Sequence, residues 1–162
     1  MQLHHSPIIY ATGYDLAHPM NMSRQQIEAL FMRRASALRD HDVTAMTSLY
    51  ARDAVVESPT AGGSVTGQEA IAEITRAWFS GFADVVFTME SLLIDGDRAV
   101  WIGVTHGTDT GGFMGLPPTN KPFRLPMVFL CTMKDGAIVH ERRIYDFTGM
   151  LVQIGVLKAK PV

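Results

Sequence analysis

The chain has a single cysteine, Cys131. No disulfide can close within it, and the apolar stretch around Cys131 predicts a buried, inert thiol that a reducing compartment suits. Surplus charge is also missing. Fourteen Lys and Arg against sixteen Asp and Glu leave a net −2, so nothing is available to neutralise a phosphate backbone, and nucleic acid is not an expected partner. No run reaches the roughly 20 apolar residues of a membrane span. The opening MQLHHSPIIYATGYDLAHPMN has neither a basic start nor a long apolar run. No secretory signal and no membrane association are therefore expected, and the cytoplasm is the expected compartment. His4 and His5 are adjacent rather than at ligand spacing, and no metal site is expected. There is no internal repeat and no low-complexity stretch.

The 162 residues, 47% apolar and 19% charged, fit one domain with one core. Residues 1–22 mix His, Pro, Gly and Asn without a period and read as an arm. Residues 23–157 read as the domain and 158–162 as a tail. Ser23 with Gln26 is a capping-box pattern, followed by Ile27, Leu30, Phe31, Ala35 and Leu38 at helical spacing. Asp42 is placed to cap a short second helix through Val43, Met46, Leu49 and Tyr50, and AVVESP reads as a strand stopped at Pro59. From Gly67 a third helix carries Ile71, Ile74 and Trp78 on one stripe. Beyond Gly81 the period changes, and 84–94, 97–110, 122–134 and 137–146 read as strands. Gly96 and Gly136 suit hairpin turns. Helices followed by an antiparallel meander predict an α+β fold with three N-terminal helices on the concave face of a curved, mostly antiparallel sheet.

Alternation puts Val100, Ile102, Val104 and His106 on one face of their strand and Ala99, Trp101, Gly103 and Thr105 on the other. On the last strand Ile138, His140, Arg142, Ile144 and Asp146 share a face by the same count. Patterning alone does not decide between a packed core and a pocket. Trp78, Phe79 and Phe82 fit either, and the ten methionines suit an adaptable apolar interior or plain core filling.

LYARDAVVESP, GTDTGGFMGLPPTNK and DGAIVHERRIYDFTGMLVQIG, in that order, resemble the SnoaL-like polyketide cyclases of the nuclear transport factor two-like superfamily. The resemblance spans 25–157. It is most distinctive at 115–119 and at Tyr145, Asp146, Leu151, Gln153 and Gly155. It implies a cone-shaped α+β barrel with a deep apolar cavity, usually paired into a homodimer through the outer sheet face. It also implies a cofactor-independent enzyme of cyclase, lyase or isomerase type, closing a ring by intramolecular aldol condensation on a hydrophobic carbonyl compound. In that reading Asp146 matches the acid/base aspartate of the last strand, where apolar walls would raise its proton affinity. His106 would hydrogen-bond the developing enolate. Ser58, Trp78, Val104, Val128, Leu130 and Thr132 would line the cavity, with Met114 and Leu116 as gate residues on the Gly/Pro-rich loop.

Other readings stand beside these. Asp146 also suits a cap for FTGML or a partner for an arginine, and His106 suits a structural role. Arg142 and His140 lie about 13 and 20 Å from Asp146 along an extended strand, at roughly 3.3 Å per residue. Ketosteroid isomerases place a carboxylate where Ser58 stands and another where Val128 stands. The Asp–Arg–Asp set of limonene-epoxide-hydrolase-like proteins falls nearest to His106, Val104 and Arg143. Neither chemistry is expected. The alternative of another class is a non-catalytic binding protein for a small apolar metabolite. A third, an interaction module using its outer sheet face, predicts an interior filled by side chains.

Overall fold

In a computed structural model that describes residues 22–158, Ser23 caps the first helix as its pattern predicts. Its hydroxyl accepts from the Gln26 N–H while the Gln26 side chain accepts from the Ser23 N–H, opening α1 (Arg24–Arg39). Asp42 accepts from the Ala45 N–H and opens α2 (Val43–Thr47). The chain then runs through β1 (Tyr50–Ser58), a 3-10 turn (Pro59–Ala61), β2 (Gly63–Thr66) and α3 (Gln68–Gly81). It continues through β3 (Val86–Asp95), β4 (Arg98–Thr108), β5 (Pro122–Lys134), β6 (Ala137–Tyr145) and α4 (Phe147–Gln153).

The strands form one sheet in the order β2-β1-β6-β5-β4-β3, antiparallel except where β1 runs parallel to β6. The α+β class and the meander are as predicted. β2 and α4 are additions that the sequence pattern does not announce. β2 is four residues long, and α4 forms from FTGMLVQ, where the sequence reading has only a turn that Asp146 could cap. Most of the arm, 1–21, and residues 159–162 of the tail lie outside the described residues. Met22, placed in the arm by its sequence, is buried in the core. Among the described residues no helix is long and apolar enough to cross a membrane.

Two alternations set the interior. On β5, Phe123, Leu125, Met127, Phe129, Cys131 and Met133 all point inward and are buried. On β4 the inward set is Ala99, Trp101, Gly103, Thr105 and Gly107. Trp101 stacks on Phe129 with ring centroids 4.7 Å apart. Gly103 makes room for it, since a Cβ there would meet the Thr88 carbonyl oxygen at 2.1 Å and the Trp101 ring at 2.7 Å. The β3–β4 register shifts between Met89 and Ser91, beside this glycine. Such a bulge strengthens twist and bends the strand, which curves the sheet around its contents.

Gly103→Ala therefore has no room without moving backbone. Its expected cost is about 1–3 kcal/mol, the usual range for overpacking, read as a lower denaturation midpoint with an unchanged slope in urea.

Candidate functional site

The last strand decides what faces the interior. Pairing of β5 with β6 skips a residue: Met133 lies opposite Ile138 and Thr132 opposite His140, leaving Val139 as the extra residue. A one-residue bulge reverses every later side chain. Ile138 is inward before it, and Glu141, Arg143 and Tyr145 are the inward residues after it, while Arg142 and Ile144 are exposed. The sequence count that grouped Ile138, His140, Arg142, Ile144 and Asp146 on one face holds only from His140 onward, and that face is the outer one.

Asp146 is thereby placed in solvent. It is exposed, and it N-caps α4 with its Oδ1 accepting from the Gly149 N–H at 2.8 Å. Gly149 carries no side chain because a Cβ there would fall 2.1 Å from Asp146 Oδ2. The desolvated carboxylate expected at this position is not what the fold builds; the capping role is. His106 is likewise exposed on the outer face of β4, opposite Arg124 and Val86. Val104 shares that outer face by alternation, buried there at 8% exposure but outside the core cluster, and Val128, Leu130 and Thr132 share the outer face of β5. None of these four lines the interior. The sequence carries apolar residues on both faces of β4, so alternation gives their pairing without saying which set is covered. The bulk of Trp101 settles it by taking the side that the helices roof.

Trp78 and Ser58 do face inward. Trp78 is buried, with Phe82, Phe113 and Tyr145 ring centroids at 5.4, 5.5 and 6.1 Å. The Ser58 hydroxyl lies 2.9 Å from the Tyr145 hydroxyl and 3.0 Å from that of Thr60, with Thr60 and Tyr145 also 2.9 Å apart. Three hydroxyl protons serve these three contacts, so releasing one to a ligand opens the triangle.

On the Gly/Pro loop Met114 and Leu116 are exposed, and the anchor is the unpredicted Phe113, buried against Phe82 at 4.8 Å. Gly111 allows the loop to touch the end of α3, where a Cβ would meet the Ser80 carbonyl at 1.8 Å. Asp109, also buried, ties the loop's far side by accepting from the Thr119 N–H and hydroxyl at 2.9 and 2.8 Å.

Two of the polar groups that converge on the interior, Arg34 and Glu141, carry no role in the sequence reading, whereas Cys131 is buried as expected. Glu141 is fully buried between two arginines. Arg34 Nη1 donates to its Oε2 and Arg143 Nε to its Oε1, each at 2.5 Å, and the Tyr50 hydroxyl donates to Oε2 at 2.9 Å. Phe129 lies beneath both guanidiniums, its centroid 4.9 Å from Arg34 Cζ and 5.6 Å from Arg143 Cζ. Burial by itself would raise the Glu141 carboxyl, but the charges of Arg34 and then Arg143 overturn that and hold it well below the ordinary carboxylate range. The Cys131 thiol, 3.5 Å from Glu141 Oε2, is pushed up first by burial and then by that carboxylate, which keeps it a thiol.

Next to this cluster lies a void of about 20 Å³, lined by Arg34, Arg143 and the side chains of Trp78, Phe79, Phe87, Met127 and Phe129 among others. It has room for about one water molecule. In place of the deep cavity implied by the resemblance, the interior holds a small aromatic-walled void that Arg34 and Arg143 help to line. Arg34, one of the lining residues, has a buried Nε without a hydrogen-bond partner. Among the described residues no group of three or more His, Cys, Asp or Glu gathers to hold a metal ion.

Residues 29–154 match the sequence model of the SnoaL-like polyketide cyclase family. The nogalonic acid methyl ester cyclase of Streptomyces nogalater is 34% identical over 99 residues, 57% of this chain and 70% of that protein. Among solved structures, TsrD from Streptomyces laurentii superposes with a TM-score of 0.74 at 21% identity, covering 84% of this chain and 99% of that one. IdmH from Streptomyces antibioticus superposes with a TM-score of 0.67 at 27% identity, covering 79% and 97%.

Glu141→Gln leaves two buried guanidiniums without a counter-charge, and the expected loss is about 3–5 kcal/mol of unfolding free energy at neutral pH. Because the folded carboxyl titrates below its unfolded value, the wild-type advantage is complete above about pH 4.3 and is lost as pH falls through the folded-state pKa. Paired urea melts of the two proteins across acid pH measure it.

Proposed function

The chain belongs to the SnoaL-like polyketide cyclase family, and on that premise we propose that it is a small cofactor-independent enzyme acting on a hydrophobic carbonyl compound. The chemistry is proton transfer at carbon beside the carbonyl, of the kind an intramolecular aldol ring closure requires. The observation that supports this reading is the pair of guanidiniums, Arg34 buried and the Arg143 side chain 8% exposed, that line an aromatic-walled void. A carbonyl oxygen set there meets fixed positive donors in a water-poor place. Charge that develops on the oxygen as the neighbouring carbon loses its proton is stabilised without reorganisation. Glu141 is not the base in this reading, since both its oxygens are already engaged and the arginines keep it a weak proton acceptor. Asp146 enters as the base only by giving up its cap on Gly149. In this reading the exposed His106, which is not among the residues lining the void, has no role.

The alternative reading, a non-catalytic binder of an apolar metabolite, is favoured by one feature. Among the described residues lining the void there is no carboxylate and no imidazole. Proton–deuterium exchange at the α-carbon of aryl ketones and 1,3-diketones, followed by NMR in D₂O, separates the two. The enzyme reading expects catalysed exchange that falls at least about tenfold, or ~1.4 kcal/mol of barrier, in Arg143→Met. Binding of the panel with no exchange establishes the binder. An equal fall in Asp146→Asn assigns that carboxylate as the base, whereas less than about threefold, well under one kcal/mol, leaves water as the acceptor.

We further propose that a second copy of the chain covers the outer sheet face and that the protein works in the cytoplasm. Val86, Leu93, Leu130 and Ile144 expose 47%, 58%, 38% and 52% of their surface there, and apolar area of that kind is stabilised by burial. Light scattering is expected to give twice the chain mass for the wild type and the single-chain mass for Leu130→Asp.

A further inference from the structure

The lining of the void and the groups bonded to it carry more positive charge than negative. Arg34 and Arg143 each bring one positive charge that a guanidinium does not give up, and Glu141 returns one negative charge, so two minus one leaves one in excess. The other ionisable groups of the cluster do not change the sum. Tyr50, from β1, and Cys131, from β5, are both pushed upward by burial and stay neutral. The remaining elements bring no charge to the void: α2 contributes Met46, α3 contributes Thr75, Trp78 and Phe79, and β3 contributes Phe87. His41, in the turn after α1, stacks on Phe79 and contacts the Val85 carbonyl oxygen instead of the void.

The same place has an unused donor. Arg34 is 1% exposed, and its Nε–H has no partner although its Nη1 is bonded to Glu141. A buried N–H without an acceptor is rare in folded proteins and calls for one. The void against Arg34, about 20 Å³, has the size of a single oxygen-centred group. Phe79 and Phe87 are the half-buried rings of its lining, and a ligand body is expected to enter past them.

We propose that this void is an anion subsite that takes the oxygen of a conjugated oxyanion, the phenolate or enolate of an aromatic compound, so that the protein captures its ligand already ionised. The inference rests on the reading of this site as the carbonyl-compound site, and it removes the need for a base among the lining residues. Two effects of opposite sign meet here. An apolar wall raises the pKa of a bound phenol, whereas a net positive neighbour lowers it. The excess guanidinium beside the oxygen is the stronger influence, because it is in contact and shielded from water.

The test uses the full chain and 4-nitrophenol, whose phenolate absorbs in the visible. Its ionisation midpoint is measured free and with saturating protein. The bound midpoint is expected to lie about one unit below the free one, a roughly tenfold preference for the phenolate. Glu141→Gln deepens that fall, and Arg143→Gln removes most of it. A bound midpoint at or above the free value overturns the proposal, and so does a shift unchanged in Arg143→Gln. Should either variant fail to fold, 4-nitroanisole, the neutral methyl ether, decides on the wild type. Weaker binding of the ether than of the phenolate supports the subsite, and equal binding overturns it. If 1-tetralone displaces a probe bound as the neutral phenol, the anion subsite falls and the carbonyl reading stands. If the probe binds ionised but no ketone exchanges its α-proton, the subsite stands and the enzymatic reading falls.

Discussion

Glu141, with a guanidinium on each oxygen and a phenol behind, is the interaction around which the interior is arranged. It joins α1 through Arg34, β1 through Tyr50, β5 through the ring of Phe129, and β6 through its own strand and Arg143. Desolvating three charges is expensive unless every partner arrives in place, and a single missing partner leaves a charge uncompensated. The cluster therefore penalises any packing in which α1 rotates or β6 slips by a residue. A greasy contact would tolerate either far better.

The Val139 bulge is a second constraint, and it serves the first. Without it Glu141 and Arg143 would keep the outward parity opposite to Ile138, and Ile144 and Asp146 would point into the core. With it, the apolar residue that begins β6 and the ion cluster that follows share the same side. The same reversal carries the chain out of the strand with Asp146 in solvent. There it nucleates α4, and α4 in turn buries Met150 and Ile154 over the sheet's end.

Much of the framework is legible in the residue order because its signals are local. The Ser23/Gln26 box, the Asp42 cap and the glycines at 96 and 136 each act within four residues, and each is found where its chemistry demands. The site is less legible because it depends on sign and register, which are long-range properties. Val100, Ile102 and Val104 are as apolar as Trp101, so hydropathy on β4 does not say which face is roofed and only the bulk of Trp101 distinguishes the two. A single skipped residue at Val139 undoes a count made from Ile138. One long-range signal is nevertheless present in the residue order. Arg34 follows Ile27, Leu30 and Phe31 at i+7, on the apolar stripe of α1, and Glu141 and Arg143 stand two apart on one strand. Opposite charges on faces otherwise committed to burial are what a buried ion cluster looks like in a sequence.

The chain has two tryptophans, and they stand at different depths of the same interior. Trp78 forms part of the wall of the void, while Trp101 is stacked behind Phe129 on the far side of the guanidiniums. An occupant arriving between Phe79 and Phe87 would touch one indole and leave the other shielded by the Phe129 ring. The native protein thus contains its own optical reporter together with an internal reference, and filling of the interior can be followed by emission without a label attached to either partner.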